Sequence, residues 1–221
     1  PEPMAPANRQ SLKLRNLARN YRHIGTDPSF LGYTLTNAFA FSGLFAFLSG
    51  SSFVLIDFLG VAPEHYGLYF ACVVAGYISG NLGAVRLGRR LVPDQILVRG
   101  LLTSVAGGVT MAGLAMAEFY SVWAVMIPQA VVMMGVGMTL PQTMAGALAN
   151  FPTMAGSASA LFGFGQMALA AAVGAVVGQL YTGTSLVMAS IIAACSLAAL
   201  AAYLLLVQRY PAPGFEPLQG T

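Results

Sequence analysis

The sequence predicts an all-α integral membrane protein of six transmembrane helices. Three observations predict it. First, 57% of the 221 residues are hydrophobic and only 8% are charged, whereas a soluble domain carries about 25% charged residues. Too few polar groups are present to cover a soluble surface, so lipid must face much of the chain. Second, apolar runs recur at the length that crosses a bilayer, about 20 residues in a helix. Third, six spans put all ten Lys and Arg residues on one side, as the positive-inside rule requires.

The chain divides into a basic linker (1–27), a six-helix bundle (28–208) and a short tail (209–221). "PEPMAPANRQ" reads as a Pro-rich flexible start. "SLKLRNLARNYRH" (11–23) has Leu14, Leu17 and Tyr21 near one face and Arg15, Arg19 and Arg22 near another. It reads either as an amphipathic helix on an anionic leaflet or as a solvated linker whose charges set topology. No signal peptide fits, because the first apolar stretch starts near Phe30, after this basic segment.

The first span, 29–56, follows "TDPS", where Asp27 or Ser29 can cap and Pro28 sits near the start. "FLGVAPEHYG" separates it from the second, 66–86, and "RLGRRLVPDQ" separates that from the third, 96–117. "AEFYS" breaks before the fourth span, 121–141; the fifth and sixth are 154–180 and 184–207. Between the fourth and fifth, Pro141 and Pro152 bracket "QTMAGALANF", which reads as a turn or short interfacial helix. The side opposite the basic residues holds Asp57, Glu64, Glu118 and His65. The basic side, with both termini, is therefore expected in the cytoplasm. Cys72 and Cys195 lie in apolar runs with no metal or disulfide spacing and read as packing residues.

Three stretches resemble a known family. "FAFLSGSSFVLIDFLGVAPEHYGLYFA" (45–71), "GNLGAVRLGRRLV" (80–92) and "LPQTMAGALANFPTMAGSASALFGFGQM" (140–167) are similar to the C-terminal half of twelve-span major facilitator transporters. The branch they resemble is the bacterial drug:proton antiporters of bicyclomycin and chloramphenicol resistance. The resemblance runs from about residue 25 to 207. It implies the C-terminal six-helix bundle of that fold, with two inverted three-helix repeats and substrate bound between the halves near the midplane. It further implies an N-terminal six-helix half as partner, a chain starting inside the central cytoplasmic loop, and location in the bacterial inner membrane. The second stretch is similar to the family's loop motif through Gly80, Arg86, Gly88, Arg89 and Arg90. It departs from that motif at Ala84 and Val85, where acid or base stands in the pattern, and Gly88 is shifted by one.

Polar groups within a membrane are costly and mark candidate sites. Thr34, Ala38, Phe41, Phe45, Ser49 and Ser52 follow helical spacing on the first span, with Asn37 and Ser42 alongside. This mixed aromatic and hydroxyl stripe suits an apolar ligand with a few polar groups; the competing reading is helix packing, with hydroxyls bonded to their own backbone. Gln166, Ser159 and Phe162 on the fifth span and Gln129 and Met133 on the fourth complete the cavity candidates; for Gln166 the competing reading is an interhelical hydrogen bond. Pro128 is expected to kink the fourth span. Asp57 is the candidate for an outer gate or proton-sensitive position, against the plainer reading of a loop carboxylate. No acid is read as lying deep: Asp57, Glu64 and Glu118 all sit near the outer interface. The spacings Gly76-xxx-Gly80 and Gly174-xxx-Gly178 allow close helix packing.

Three function classes compete. Proton-coupled export of drugs or other small amphipathic molecules needs a cavity and a second half. An uptake permease for a charged metabolite favours a deep basic or acidic partner, and none is apparent in the spans. An intramembrane serine enzyme needs a base at depth, yet His23 and His65 both lie outside the spans. "GFGQMA" (163–168) matches a dinucleotide glycine loop only superficially, since it follows no strand. Protons, lipid and a small-molecule substrate are the expected partners; no cofactor, metal or nucleic acid is expected.

Overall fold

A computed structural model describes residues 14–213, with side chains from Arg19 onward. The Pro-rich start, with Arg9 and Lys13, and residues 214–221 lie outside the described residues. Helix α1 (Leu14–Gly25) leads into six apolar helices. These are α2 (Pro28–Ser52), α3 (Pro63–Leu87), α4 (Pro93–Met116), α5 (Val122–Ala149), α6 (Ala155–Gln179) and α7 (Leu186–Ala202). Two end in wider π-helical turns, Phe53–Phe58 after α2 and Tyr203–Val207 after α7. All six spans are long and apolar enough to cross a bilayer, so the chain is a multi-pass membrane bundle.

The helix starts follow local chemistry. Proline occupies the first turn of α2, α3 and α4, where its missing N–H costs nothing. Asp27 caps α2 by accepting from the Phe30 N–H at 2.7 Å. Between α4 and α5 the chain turns through Glu118 at φ 55°, in the left-handed region.

One sequence expectation changes here. The fourth span does not end at Pro141: α5 is a single helix through both Pro128 and Pro141. The break comes at Asn150 and Phe151, followed by a 3₁₀ turn at Pro152–Met154. Neighbouring helices in a membrane can re-satisfy the carbonyls a proline frees, so Pro141 loses its force as a stop signal.

The packing has internal symmetry. α2 packs on α6 as α5 packs on α3, and α2 on α7 as α5 on α4. The remaining close pairs, α2 with α5 and α4 with α7, join equivalent members. This is the contact pattern of two three-helix units, α2–α4 and α5–α7. Each has an odd number of spans, so the second unit enters the bilayer from the opposite face. Gly76 and Gly80 let α3 lie directly on α5: a Cβ at either would strike the Ala130 or Met134 carbonyl.

The core has two parts. Near the basic end, Ile24, Phe30, Leu97, Phe151, Phe162 and Tyr203 pack together. Towards the opposite end the core contains Phe47, Met111, Met126, Met133, Met188 and Ile192.

Candidate functional site

A cavity of about 300 Å³ opens where α2, α3 and α5 meet. Phe41 and Leu44 line it from α2, Phe70, Val73, Val74 and Tyr77 from α3, and Met133, Val136 and Leu140 from α5. α2 and α3 both pack on the rest of the bundle but make few contacts with each other, which leaves the gap. The lining is apolar apart from the Tyr77 hydroxyl. Such a surface takes up an aliphatic or aromatic body and offers nothing to a fixed charge.

A polar node lies one helical turn towards the basic end. Asn37 is four residues before Phe41, and Thr143 three after Leu140, so both continue the lining faces. The Asn37 Nδ2 donates to Gln166 Oε1 at 2.8 Å, and Thr143 Oγ1 donates to Asn37 Oδ1 at 2.9 Å. Asn37 and Thr143 are buried, whereas Gln166 is half-buried. The node joins α2, α5 and α6, which explains why three polar side chains are tolerated at this depth. It leaves the Gln166 Nε2 and one Asn37 N–H as further donors. Thr143 was not a sequence candidate; its position three residues beyond Leu140 was the available signal.

The remaining candidates scatter. Phe45 meets Phe41 in a tilted contact, 5.3 Å between ring centroids, just outside the lining. Ser42 donates to the Ala38 carbonyl at 2.7 Å and Ser159 to the Gly156 carbonyl at 3.1 Å, so both hydroxyls serve their own helices. Ser49 lies against α6, where a Cβ at Gly174 would come 2.7 Å from its Oγ. Phe162 packs in the core of the basic end. Gln129 is fully buried, and neither polar atom of its amide has a hydrogen-bond partner. None of these six lines the cavity described above.

Gly80, expected in a loop motif, is buried inside α3. Arg86 lies in the last turn of α3, and Gly88, Arg89 and Arg90 in the turn that follows, all exposed.

Asp57 is exposed within the π-helical turn that ends the first span. Tyr181, in the α6–α7 loop, donates to the Phe53 carbonyl of the same turn at 3.2 Å. Burial, and then the Asp57 carboxylate nearby, push the Tyr181 hydroxyl above its ordinary value.

One acid is buried at the end of a helix, a position the sequence reading did not single out. Asp94, in the first turn of α4, is only 2% exposed. The Tyr203 hydroxyl approaches both of its carboxylate oxygens at 2.8 Å. In sequence it follows two arginines and a proline, which places it in a solvated loop. The missed signal was Pro93 at the first position of a helix, with "ILV" directly after "DQ".

No family model matches the chain. It is 28% identical over 209 residues to the bicyclomycin resistance protein homolog of Haemophilus influenzae, covering 95% of this chain and 52% of that protein. It is 31% identical over 157 residues to the uncharacterized MFS-type transporter YdgK of Bacillus subtilis, covering 69% of this chain and 38% of that one. An uncharacterized transporter of Rickettsia bellii is 31% identical over 155 residues, with 66% and 38% covered. The chain thus spans about half the length of the first of these relatives and less of the others. Six apolar helices with the symmetry of paired triplets agree with that likeness, and the chain belongs to the major facilitator superfamily of transporters, in the branch that holds the bicyclomycin resistance homolog.

Proposed function

We propose that this bundle is the C-terminal half of a proton-coupled exporter of small amphipathic molecules. It works by alternating access in the bacterial inner membrane, with its basic end and both termini in the cytoplasm. It is a transporter and not an enzyme. The observation that carries the reading is the apolar cavity with the Asn37–Thr143–Gln166 node beside it. A ligand with an apolar body and one hydrogen-bonding end fits that order of surfaces.

The partner is an N-terminal six-helix half. Only 17% of the α3 span and 22% of the α6 span is buried, against 44% or more for the other four. Gly67, Ala71, Ala75 and Ser79 form an exposed stripe along α3, and Ala160, Ala168, Ala171, Ala172 and Ala175 are exposed on α6. Small residues of this kind allow another helix close approach, which lipid does not require. The two least buried helices are also equivalent members of the two triplets, so one symmetric partner can cover both.

Resistance profiling of the full-length transporter tests the reading. Phe41→Ala and Gln166→Ala are expected to change resistance to some compounds much more than to others, at normal expression. A buried aromatic contact is worth about 1–3 kcal/mol, enough to reorder substrates. Equal loss for every compound, or no change for any, would overturn the assignment of the cavity.

A further inference from the structure

We propose that Asp94 is a proton-binding site, and that its ionisation state sets how firmly the π-helical turn of α7 is held to the start of α4. The inference needs the six-helix bundle but not the export reading.

The geometry isolates this carboxylate. Asp94 is buried at the basic end, where α2, α4 and α7 converge. From α7 it faces Tyr203, and from α2 the ring of Tyr33 lies within electrostatic reach. α5 packs along the whole of α4 and carries no titratable residue between 122 and 149. The cations on the elements packed around it are Arg86 from α3, Arg89 and Arg90 from the connecting turn, Arg99 from α4 itself and Arg209 just past the π-helical turn of α7. All five side chains are exposed. Among the described residues the carboxylate's hydrogen bonds come from one phenol, and the N-terminal dipole of α4 supplies further positive potential.

Such a group has two distinct states. Ionised, it accepts a charge-assisted bond from Tyr203, roughly twice as strong as a neutral one. Protonated, it gains an O–H bond using a proton from the aqueous phase at the basic end. The buried charge disappears and the bond from Tyr203 becomes a neutral one. Tyr203 opens the π-helical turn Tyr203–Val207, and turns of this wide kind recur at functional positions in helices. Asp94 is one residue past the first position of α4, at the end of the bundle, yet it is covered. Proton exchange with water thus requires the ends of α4 and α7 to part. The same contact that protonation weakens is the one that must open to admit the proton.

The test is pH-difference infrared spectroscopy of the full-length protein in lipid vesicles, with no cargo and no gradient. Between about pH 9 and about pH 4, a range that brackets perturbed carboxylates, a carboxylic-acid carbonyl band is expected to appear. It should vanish in Asp94→Asn and move in Tyr203→Phe, which removes its hydrogen-bond donor. A second arm places spin labels at Gln95→Cys and Leu205→Cys, the latter an exposed residue of the π-helical turn, with Cys72→Ser and Cys195→Ser. Their spacing is expected to widen at acid pH in the parent and to stay wide at every pH with Asp94→Asn. The proposal is overturned if the band survives Asp94→Asn, or if the parent spacing does not change with pH. Should Asp94→Asn not fold, an unmoved band in Tyr203→Phe overturns it equally. Failure of the export reading leaves both arms interpretable, because neither measures transport.

Discussion

The two ends of the bundle treat their buried amides and carboxylate differently. At the basic end and just inside it, these are paired across helices, Asn37 with Thr143 and Gln166 and Asp94 with Tyr203, although the buried Ser29, Thr34 and Thr36 hydroxyls nearby have no partner. Towards the other end, Gln129 sits between Val125, Met126, Val132 and Met133, all buried in a methionine-rich core, with its amide unpaired. Polar contacts at that end are between hydroxyls and carbonyls: the tyrosine pegs Tyr66 on Ser51 and Tyr181 on the Phe53 carbonyl, and, further in, Ser104 donating to the Val132 carbonyl at 3.2 Å. Directional bonds between named atoms fix one arrangement of helices. Methionine packing tolerates several, because the thioether chain adapts to irregular gaps. The amide and carboxylate pairs thus pin the basic end at two points, whereas the methionine core around Gln129 has no such pin and is the softer of the two.

The largest expected break in that contrast is Tyr203→Phe. It strips the donor from a buried carboxylate and is expected to destabilise the folded protein by about 3 kcal/mol at neutral pH. Protonating Asp94 removes the uncompensated charge, so the loss should shrink as pH falls. Denaturation in mixed micelles at several pH values measures it. A loss that does not depend on pH would mean the phenol contributes only packing.

Asn37→Ala comes next. It leaves the Thr143 hydroxyl and the Gln166 amide without their partner, at about 1–2 kcal/mol. Thr143 can fall back on the Thr139 or Leu140 carbonyl, at 3.1 and 3.0 Å, which keeps the cost below that of a fully orphaned group. Thr143→Val should cost less than Asn37→Ala in the same denaturation assay, since Asn37 keeps its bond to Gln166. The reverse order would put the centre of the node on Thr143.

How far these features were legible in the sequence follows from the kind of signal each carries. The spans and the single-sided charges rest on composition along one chain segment, and they are visible without any partner. Asn37 and Gln166 stood out as polar residues in apolar runs, but their pairing spans 129 positions, and no local pattern encodes it. Asp94 was missed for a sharper reason. Its neighbours in sequence are arginines, while its neighbours in space are tyrosines from helices that start or end far away. Pro141 misled in the other direction, since a stop signal calibrated on water-exposed helices weakens where neighbouring helices supply partners. The paired triplets left no readable sequence repeat, because they share packing positions rather than residue types.

The contrast predicts a change of sign at Gln129. Replacing it with methionine, close in volume, removes two unpaired polar atoms from an apolar core. Gln129→Met is expected to stabilise by about 1 kcal/mol, where the polar deletions at the basic end destabilise. A loss of stability on thermal unfolding in detergent would show that the amide is paired after all, and the opposite end would no longer be the softer one.

The smallest effect belongs to the tyrosine pegs. Ser51 and the Tyr66 hydroxyl lie 2.6 Å apart, joining α2 to the start of α3. Ser51 is fully buried, but Tyr66 is only half-buried, so its hydroxyl has other partners once the bond is lost. Ser51 sits four residues after Phe47 on the same helix and can turn back to that carbonyl, as buried serines in helices commonly do. Neither group is stranded by Tyr66→Phe. The expected cost is therefore about 0.6 kcal/mol, the average measured for hydrogen bonds between membrane helices, and it should not vary with pH. A loss as large as that of Tyr203→Phe would make the pegs equal to the buried pairs, and the two ends would then be held together by the same means.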